Sequence, residues 1–216
     1  MTSAELHSCL IAALASYLMG ATPFGFLAGR LRGIDIREHG SGNIGATNVW
    51  RVLGKRVGMP VFVLDMLKGW LPVFLTIYLC SSSGIPESWP SIAAAIGAVI
   101  GHNFTFWLKF KGGKGIATSA GVLLALLPLP LLCGLGAWVV TFFTTRYVGL
   151  ASIAAALGVA ISAVVLHIVD DAPGAPLAGF ACFIGLLAVW RHRANIRRMI
   201  DGTEPKFTRK SKSPAE

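Results

Sequence analysis

The 216-residue chain is predicted to be an all-α, polytopic integral membrane protein, and three observations predict it. Apolar residues make up 54% of the sequence and charged residues only 13%, where soluble domains carry about 25% charged residues. Mean hydropathy is +0.67. The polar residues are gathered into a few loops, and the basic ones fall on alternate loops. The formal net charge of +9 is therefore a topology signal, and no nucleic-acid partner is expected from it.

The first apolar run is 6–27, preceded by Glu5 and by no Lys or Arg. That start argues against a cleaved signal peptide. Residues 30–58 form a polar, glycine-rich loop with six basic residues. A second span at 59–79 leads to a short loop whose one charge is Glu87, and a third span covers 91–107. Residues 109–115 are again basic. The apolar stretch 116–143 is too long for one span and too short for two of about 20 residues each. Its LPLP segment, 127–130, can break it, because proline ends or kinks helices. Arg146, a span at 148–168, an acidic turn (VDDAPGAP, 169–176), a last span at 177–190 and a basic tail follow.

Charge bias decides the ambiguous stretch. With a break at LPLP there are seven spans, and 18 of the 19 Lys and Arg residues lie on one side, Lys68 being inside a span. One joined span would put the basic tail on the opposite side, against the positive-inside rule. The expectation is seven transmembrane helices with a periplasmic N-terminus and a cytoplasmic C-terminus. Spans four and five are short, and 1–207 form one membrane domain before a polar, disordered tail at 208–216. The four cysteines are widely spaced without a C-x-x-C pair, so they read as small buried hydrophobes. Trp89, Trp107 and Trp190 sit at span ends, as interfacial aromatics do.

The chemistry collects on the basic face. In FKGGKGIATS (110–119), glycines permit close backbone approach, and successive N–H groups before a helix start can form an anion nest. Lys111, Gly112, Gly113, Lys114 and Gly115 are the candidates there. The spacing is not that of a Walker loop. The first loop holds GSGNIGATNVWR (40–51). It spells G-x-G-x-x-G, but after a membrane span and not a strand, so the dinucleotide reading is poor. What remains is a set of small and polar groups, Ser41, Gly42, Asn43, Thr47 and Asn48, around one guanidinium. A helix from Gly45 puts Thr47, Asn48 and Arg51 on one face, and a planar guanidinium suits bidentate phosphate binding. Local capping of the loop by Ser41 and Asn48 is the plainer alternative.

Span two carries Asp65 and Lys68 at i, i+3, expected as a structural ion pair. His102 reads as a packing histidine. His167 with Asp170 and Asp171 reads as an interfacial cap, and no metal site is expected. In the tail, WRHRANIRRMIDGTEPKF, His192 and Asn195 are spaced to share a helix face among four arginines, with Glu204 pairing an arginine. Ser152 lies near the start of span six.

GSGNIGATNVWR, GHNFTFWLKFKGGKGIATS, WRHRANIRRMIDGTEPKF and the DMLKG segment at 65–69 together resemble the motifs of the bacterial acyl-phosphate:glycerol-3-phosphate acyltransferases, in the same order and over nearly the whole chain. The resemblance implies a seven-span enzyme of the inner membrane. Such an enzyme moves a fatty acyl group from acyl phosphate to the sn-1 hydroxyl of glycerol 3-phosphate, giving lysophosphatidic acid at the first step of phospholipid synthesis. It implies functional roles for Ser41, Arg51, Lys114, the 112–115 loop, Ser152, His192 and Asn195, and a structural one for Glu204. It implies no cofactor, membrane lipid as surroundings, and the soluble enzyme that makes acyl phosphate as a candidate partner. No histidine is followed by Asp five residues on, so the hydroxyl proton must go to His192 or to a substrate phosphate; an orienting role for His192 is favoured. The rival class is a transporter of a small organophosphate, which also needs basic cavities and broken spans. Against it, the halves show no internal repeat and the polar motifs crowd one face.

Overall fold

The structure, a computed structural model, describes residues 1–207. The polar tail expected to be disordered, 208–216, lies outside the described residues. The described chain is all helical. Helix α1 (Ser3–Gly20) starts at a capping box in which the Thr2 side chain accepts from the Glu5 amide, and Glu5 accepts from the Thr2 amide. Helix α2 (Phe24–Arg30) follows a break at 21–23. At that break buried side chains reach two backbone carbonyls: Thr105 Oγ1 donates to Ala21 O at 2.5 Å, and Lys68 Nζ to Thr22 O at 2.6 Å, which also accepts from the Phe24 amide at 3.1 Å. A buried ammonium needs partners, and the carbonyl exposed at this break is one that Lys68 uses.

Helix α3 (Ala46–Leu53) carries the first motif and runs into α4 (Lys55–Ser82), which contains Pro60 and Pro72. Helix α5 (Ser88–Asn103) packs along α1 through small residues. A Cβ on Gly97 would lie 2.3 Å from Ala13 O, so only glycine allows this approach. The apolar stretch after the second motif is split as expected. Helix α6 (Ile116–Leu126) ends at Leu127, whose φ of −141° and ψ of 59° are non-helical, and α7 (Pro128–Thr145) begins with proline in its first turn. The shortness falls on α6 alone. Its 11 residues rise roughly 16 Å, about half of a ~30 Å hydrocarbon core, whereas α7 has 18. Helix α8 (Val148–Asp170), α9 (Ala175–Arg191) and α10 (Arg193–Ile200) complete the chain.

Among the described residues, five stretches are long and apolar enough to cross a membrane, beginning with α1 and α2 together, and α9 with α10 would make a sixth, bent by 50°. The tail helix expected to carry His192 and Asn195 on one face is thus not continuous: it turns at His192. One core runs through the bundle, from Val73, Ala98 and Val122 to Val159, Ala181 and Ile184. A second, smaller one (Ile36, Ile44, Val49, Val61, Leu108) lies under the first loop.

Candidate active site

The first loop is a folded lid on that smaller core. Asp35 caps a short 3-10 turn and takes Arg37 in a close pair at 2.6 Å, with Arg30 at 3.1 Å. The Arg37 hydrogen bonds hold the Asp35 carboxyl well below the usual range. Two of the six basic residues of this loop are therefore engaged locally. Asn48 is 2% exposed. Its Oδ1 accepts from the Ser41 amide at 2.8 Å, and its Nδ2 donates to Ile36 O and His39 O. All three bonds stay inside the loop, which is the capping alternative the sequence left open. Asn43 makes an Asx turn to the Gly45 amide at 2.7 Å. These bonds hold Ser41, Thr47 and Arg51 on the wall of a cavity.

The second motif is held differently from the anion nest expected of it. The Gly113 amide donates to His102 O at 3.1 Å and the Gly112 amide to Asn103 O at 3.2 Å, so both are engaged by the end of α5. Arg191 donates from the other side to both glycine carbonyls. Gly113 lies on the imidazole of His102: a Cβ there would sit 2.2 Å from Nε2. Gly115 has a φ of 78° and turns the chain into α6. Gly112, Gly113 and the exposed Lys111 do not line the cavity, whereas Lys114 and Gly115 do. The loop thus acts as a clamp that aims Lys114.

Under that clamp lies a buried network that sequence reading found only in part. Asp65 and Lys68 pair at 2.8 Å, as their spacing predicts. His102, read as a packing residue, joins them: its Nδ1 is 3.7 Å from Asp65 and 3.2 Å from Thr118 Oγ1. No sequence spacing signals a contact between α4, α5 and α6. Arg191 was visible only as one of four arginines.

Lys114, Asn195, Glu204 and Arg198 form one chain across the second and third motifs. Lys114 Nζ donates to Asn195 Oδ1, Asn195 Nδ2 donates to Glu204 at 2.6 Å, and Arg198 Nε donates to the other Glu204 oxygen at 2.7 Å. Burial pulls the Lys114 ammonium down to about 8; Glu204 opposes this, and Arg198, Arg191 and Arg51 add to it. His192 is 2% exposed, and its Nδ1 lies 2.8 Å from Ala188 O. A carbonyl can only accept, so Nδ1 carries the proton and Nε2 is left as an acceptor. Burial, then the Lys114 charge, and to a lesser extent Arg191, bring this histidine down to about 4, against the Ala188 carbonyl. Ser152 Oγ bonds back to Val148 O at 2.8 Å. His167 pairs with Asp171 at 3.2 Å, away from this cluster.

Ser41, Asn43, Thr47, Arg51, Lys114, Ser152, His192, Asn195 and Glu204 come together on one cavity of about 550 Å³ whose deeper walls are α4, α6, α7, α8 and α9. Lys68 stands behind this surface, and Asp65 reaches it. A second lobe of about 230 Å³ opens beside it, with Gly42, Arg191, Arg193 and Arg198 around the shared Ser41, Lys114 and Asn195. The arrangement couples a cationic cup to an apolar hollow.

Comparison with known proteins gives this pairing a family. The model of the glycerol-3-phosphate acyltransferase family matches residues 10–202. A glycerol-3-phosphate acyltransferase of Synechococcus elongatus is 45% identical over 94% of this chain and 96% of its own. Among solved structures, PlsY (YgiH), an integral membrane glycerol 3-phosphate acyltransferase, matches in its glycerol 3-phosphate form with a TM-score of 0.83 at 39% identity, covering 93% of this chain and 96% of that one. Its lysophosphatidic acid form matches with a TM-score of 0.80 at 38% identity, over the same shares of the two chains. The chain therefore belongs to the glycerol-3-phosphate acyltransferase family, and is an integral membrane acyltransferase and not a transporter.

Proposed function

We propose that the protein transfers a fatty acyl group from acyl phosphate to the sn-1 hydroxyl of glycerol 3-phosphate, releasing phosphate and lysophosphatidic acid. It does so as a seven-span protein of a bacterial inner membrane, with a periplasmic N-terminus and an active site facing the cytoplasm. One observation carries the reading: a cavity that is apolar in depth and lined at its cationic end by Arg51, Lys114, His192 and Asn195. Two phosphate-bearing substrates, one with a fatty tail, need both halves. The basic loops on one side support the orientation, and a short α6 shielded chiefly by α4, with α5 and α7 beside it, supports counting it as the fourth span.

Acyl phosphate is a mixed anhydride with a good leaving group, so charge neutralisation and placement are the main tasks. In this reading Arg51 and Lys114 hold phosphate oxygens, with Ser41 and Thr47 as hydroxyl donors beside them; Ser152, whose hydroxyl hydrogen goes to Val148 O, lies on the same wall. Nε2 of His192 accepts the hydrogen bond of the attacking hydroxyl and orients it. A group titrating at about 4 is a poor base near neutrality. A substrate phosphate dianion, with a pKa near 6, is the better proton acceptor. Bonds form between the sn-1 oxygen and the acyl carbon, and break between that carbon and the phosphate oxygen.

The test is purified protein in detergent with glycerol 3-phosphate and either acyl phosphate or an acyl thioester. Formation of lysophosphatidic acid and inorganic phosphate from acyl phosphate alone is expected. Transfer from the thioester without acyl phosphate would refute the donor. The soluble enzyme that makes acyl phosphate is the expected partner, because a reactive anhydride is best handed over where it is formed.

A further inference from the structure

The apolar hollow has a floor. Its lining on α8 continues from Ser152 to Val159, and on α9 from His192 to Ile184. At 1.5 Å per residue these reach roughly 10–12 Å beyond the polar cup. The lining stops at Leu123, Leu131, Val159 and Ile184. Leu123, Val159 and Ile184 are buried members of the main core, and Leu131 packs against it, so the floor is backed by protein and not by lipid. At the same level α7 and α8 touch: a Cβ on Gly134 would lie 2.5 Å from a Val159 methyl. No seam is left there for a chain to pass deeper.

The side of the hollow differs. Leu135 on α7 is 53% exposed and Phe62 on α4 is 40% exposed, yet both line the cavity. A tail too long for the enclosed depth can turn outward past them into the bilayer. That depth is less than the roughly 15 Å of one leaflet's hydrocarbon, taken as half of a ~30 Å core. Methylenes lying in lipid gain nothing from the protein, because lipid tails are as apolar as leucine. Methylenes packed against a solid floor gain dispersion contacts, and those that overfill it cost strain.

We propose that Leu123, Leu131, Val159 and Ile184 form an end wall that sets which acyl chain length is transferred fastest. The proposal rests on the reading that this hollow takes the tail of an acyl phosphate. A chain whose terminal methyl meets the wall is favoured over one that stops short of it or must bend out sideways.

The experiment uses the full-length protein in detergent, saturating glycerol 3-phosphate, and octanoyl, decanoyl, lauroyl, myristoyl and palmitoyl phosphate as donors. Val159→Ala and Ile184→Ala deepen the floor and should raise the lauroyl-to-decanoyl ratio of kcat/KM on the order of tenfold, the low end for one methylene in a closed apolar pocket. Leu131→Phe fills the floor and should move the ratio the other way. None of these side chains belongs to the polar cup, so KM for glycerol 3-phosphate should hold in each and certifies the fold. If Leu131→Phe fails to fold, the two deepening variants decide. Unchanged ratios in active variants would overturn the end wall and show that the tail leaves sideways. Failure of the wild type to use any acyl phosphate would instead sink the donor reading.

Discussion

Lys114 should give the enzyme a basic limb in its pH profile that an ordinary lysine would not. Its charged form is the one that can neutralise phosphate, and burial lowers it from 10.5 to about 8. At pH 7 about nine-tenths of the free enzyme then carries the charge, and at pH 9 about one-tenth, one log unit either side of the midpoint. With glycerol 3-phosphate limiting, kcat/KM should therefore fall about tenfold from pH 7 to pH 9, since this parameter reports the free enzyme. Lys114→Arg keeps a charge that does not titrate in this range. It should lose overall activity, because the longer, planar guanidinium does not fit where the compact ammonium bonds Asn195, and yet show a flat profile over the same window. Glu204→Gln removes the one carboxylate that raises Lys114, so its limb should shift to lower pH than in the wild type. The sign of stability is opposite to that of activity. Between about 8 and 10.5 the unfolded chain binds more protons at this lysine than the folded one, so its contribution favours the fold as pH rises. Falling activity with undiminished thermal stability thus separates titration from unfolding. A wild-type profile flat to pH 9, or a limb that persists in Lys114→Arg, would refute the role.

His192→Gln should retain a neutral hydrogen-bonding group, lose rate moderately and keep an acidic limb near pH 6 set by substrate phosphate; a thousandfold loss with disappearance of that limb would make His192 the base, since that loss is typical of general-base removal (about 10²–10⁴). Gly113→Ala drives a Cβ into the His102 ring and should cost about 1–3 kcal/mol in thermal unfolding as overpacking does, with impaired turnover through a displaced Lys114; unchanged stability would show that the clamp gives way freely. Asp65→Asn leaves Lys68 buried beside a neutral partner and should destabilise by about 3–5 kcal/mol. The double variant Asp65→Asn/Lys68→Met should recover part of that, less the bond to Thr22 O, and a double variant weaker than the sum of the singles would contradict the pairing.

Membership of the membrane class was legible in composition, because a span must be apolar over its whole length whatever it packs against. So was the break at Leu127, because proline acts on its own helix. The Asp65–Lys68 pair was legible for the same reason, three residues on one helix being neighbours in any fold. The motifs themselves, and with them Arg51, Lys114, His192 and Asn195, stood out because polar sequence is rare in such a chain. Their roles were not legible to the same degree. The glycines of the second motif read as an anion nest, but two of their amides are engaged by His102 O and Asn103 O, and Gly113 is small to admit an imidazole. Asn48 read either as a ligand group or as a cap of its own loop, and its bonds go to the loop although it also lines the cavity. Asn195 read as sharing a helix face with His192, whereas it links Lys114 to Glu204 and the histidine binds Ala188 O. Each misreading has one cause. A polar side chain has a few bonds to give, and whether a ligand or the chain itself receives them depends on which segments meet. Residues 102 and 113, or 114 and 195, are brought together only when α5, α6 and α10 pack. Local sequence determines what a helix is made of and where it stops; the packing of helices distant in sequence decides which of its polar groups remain free to do chemistry.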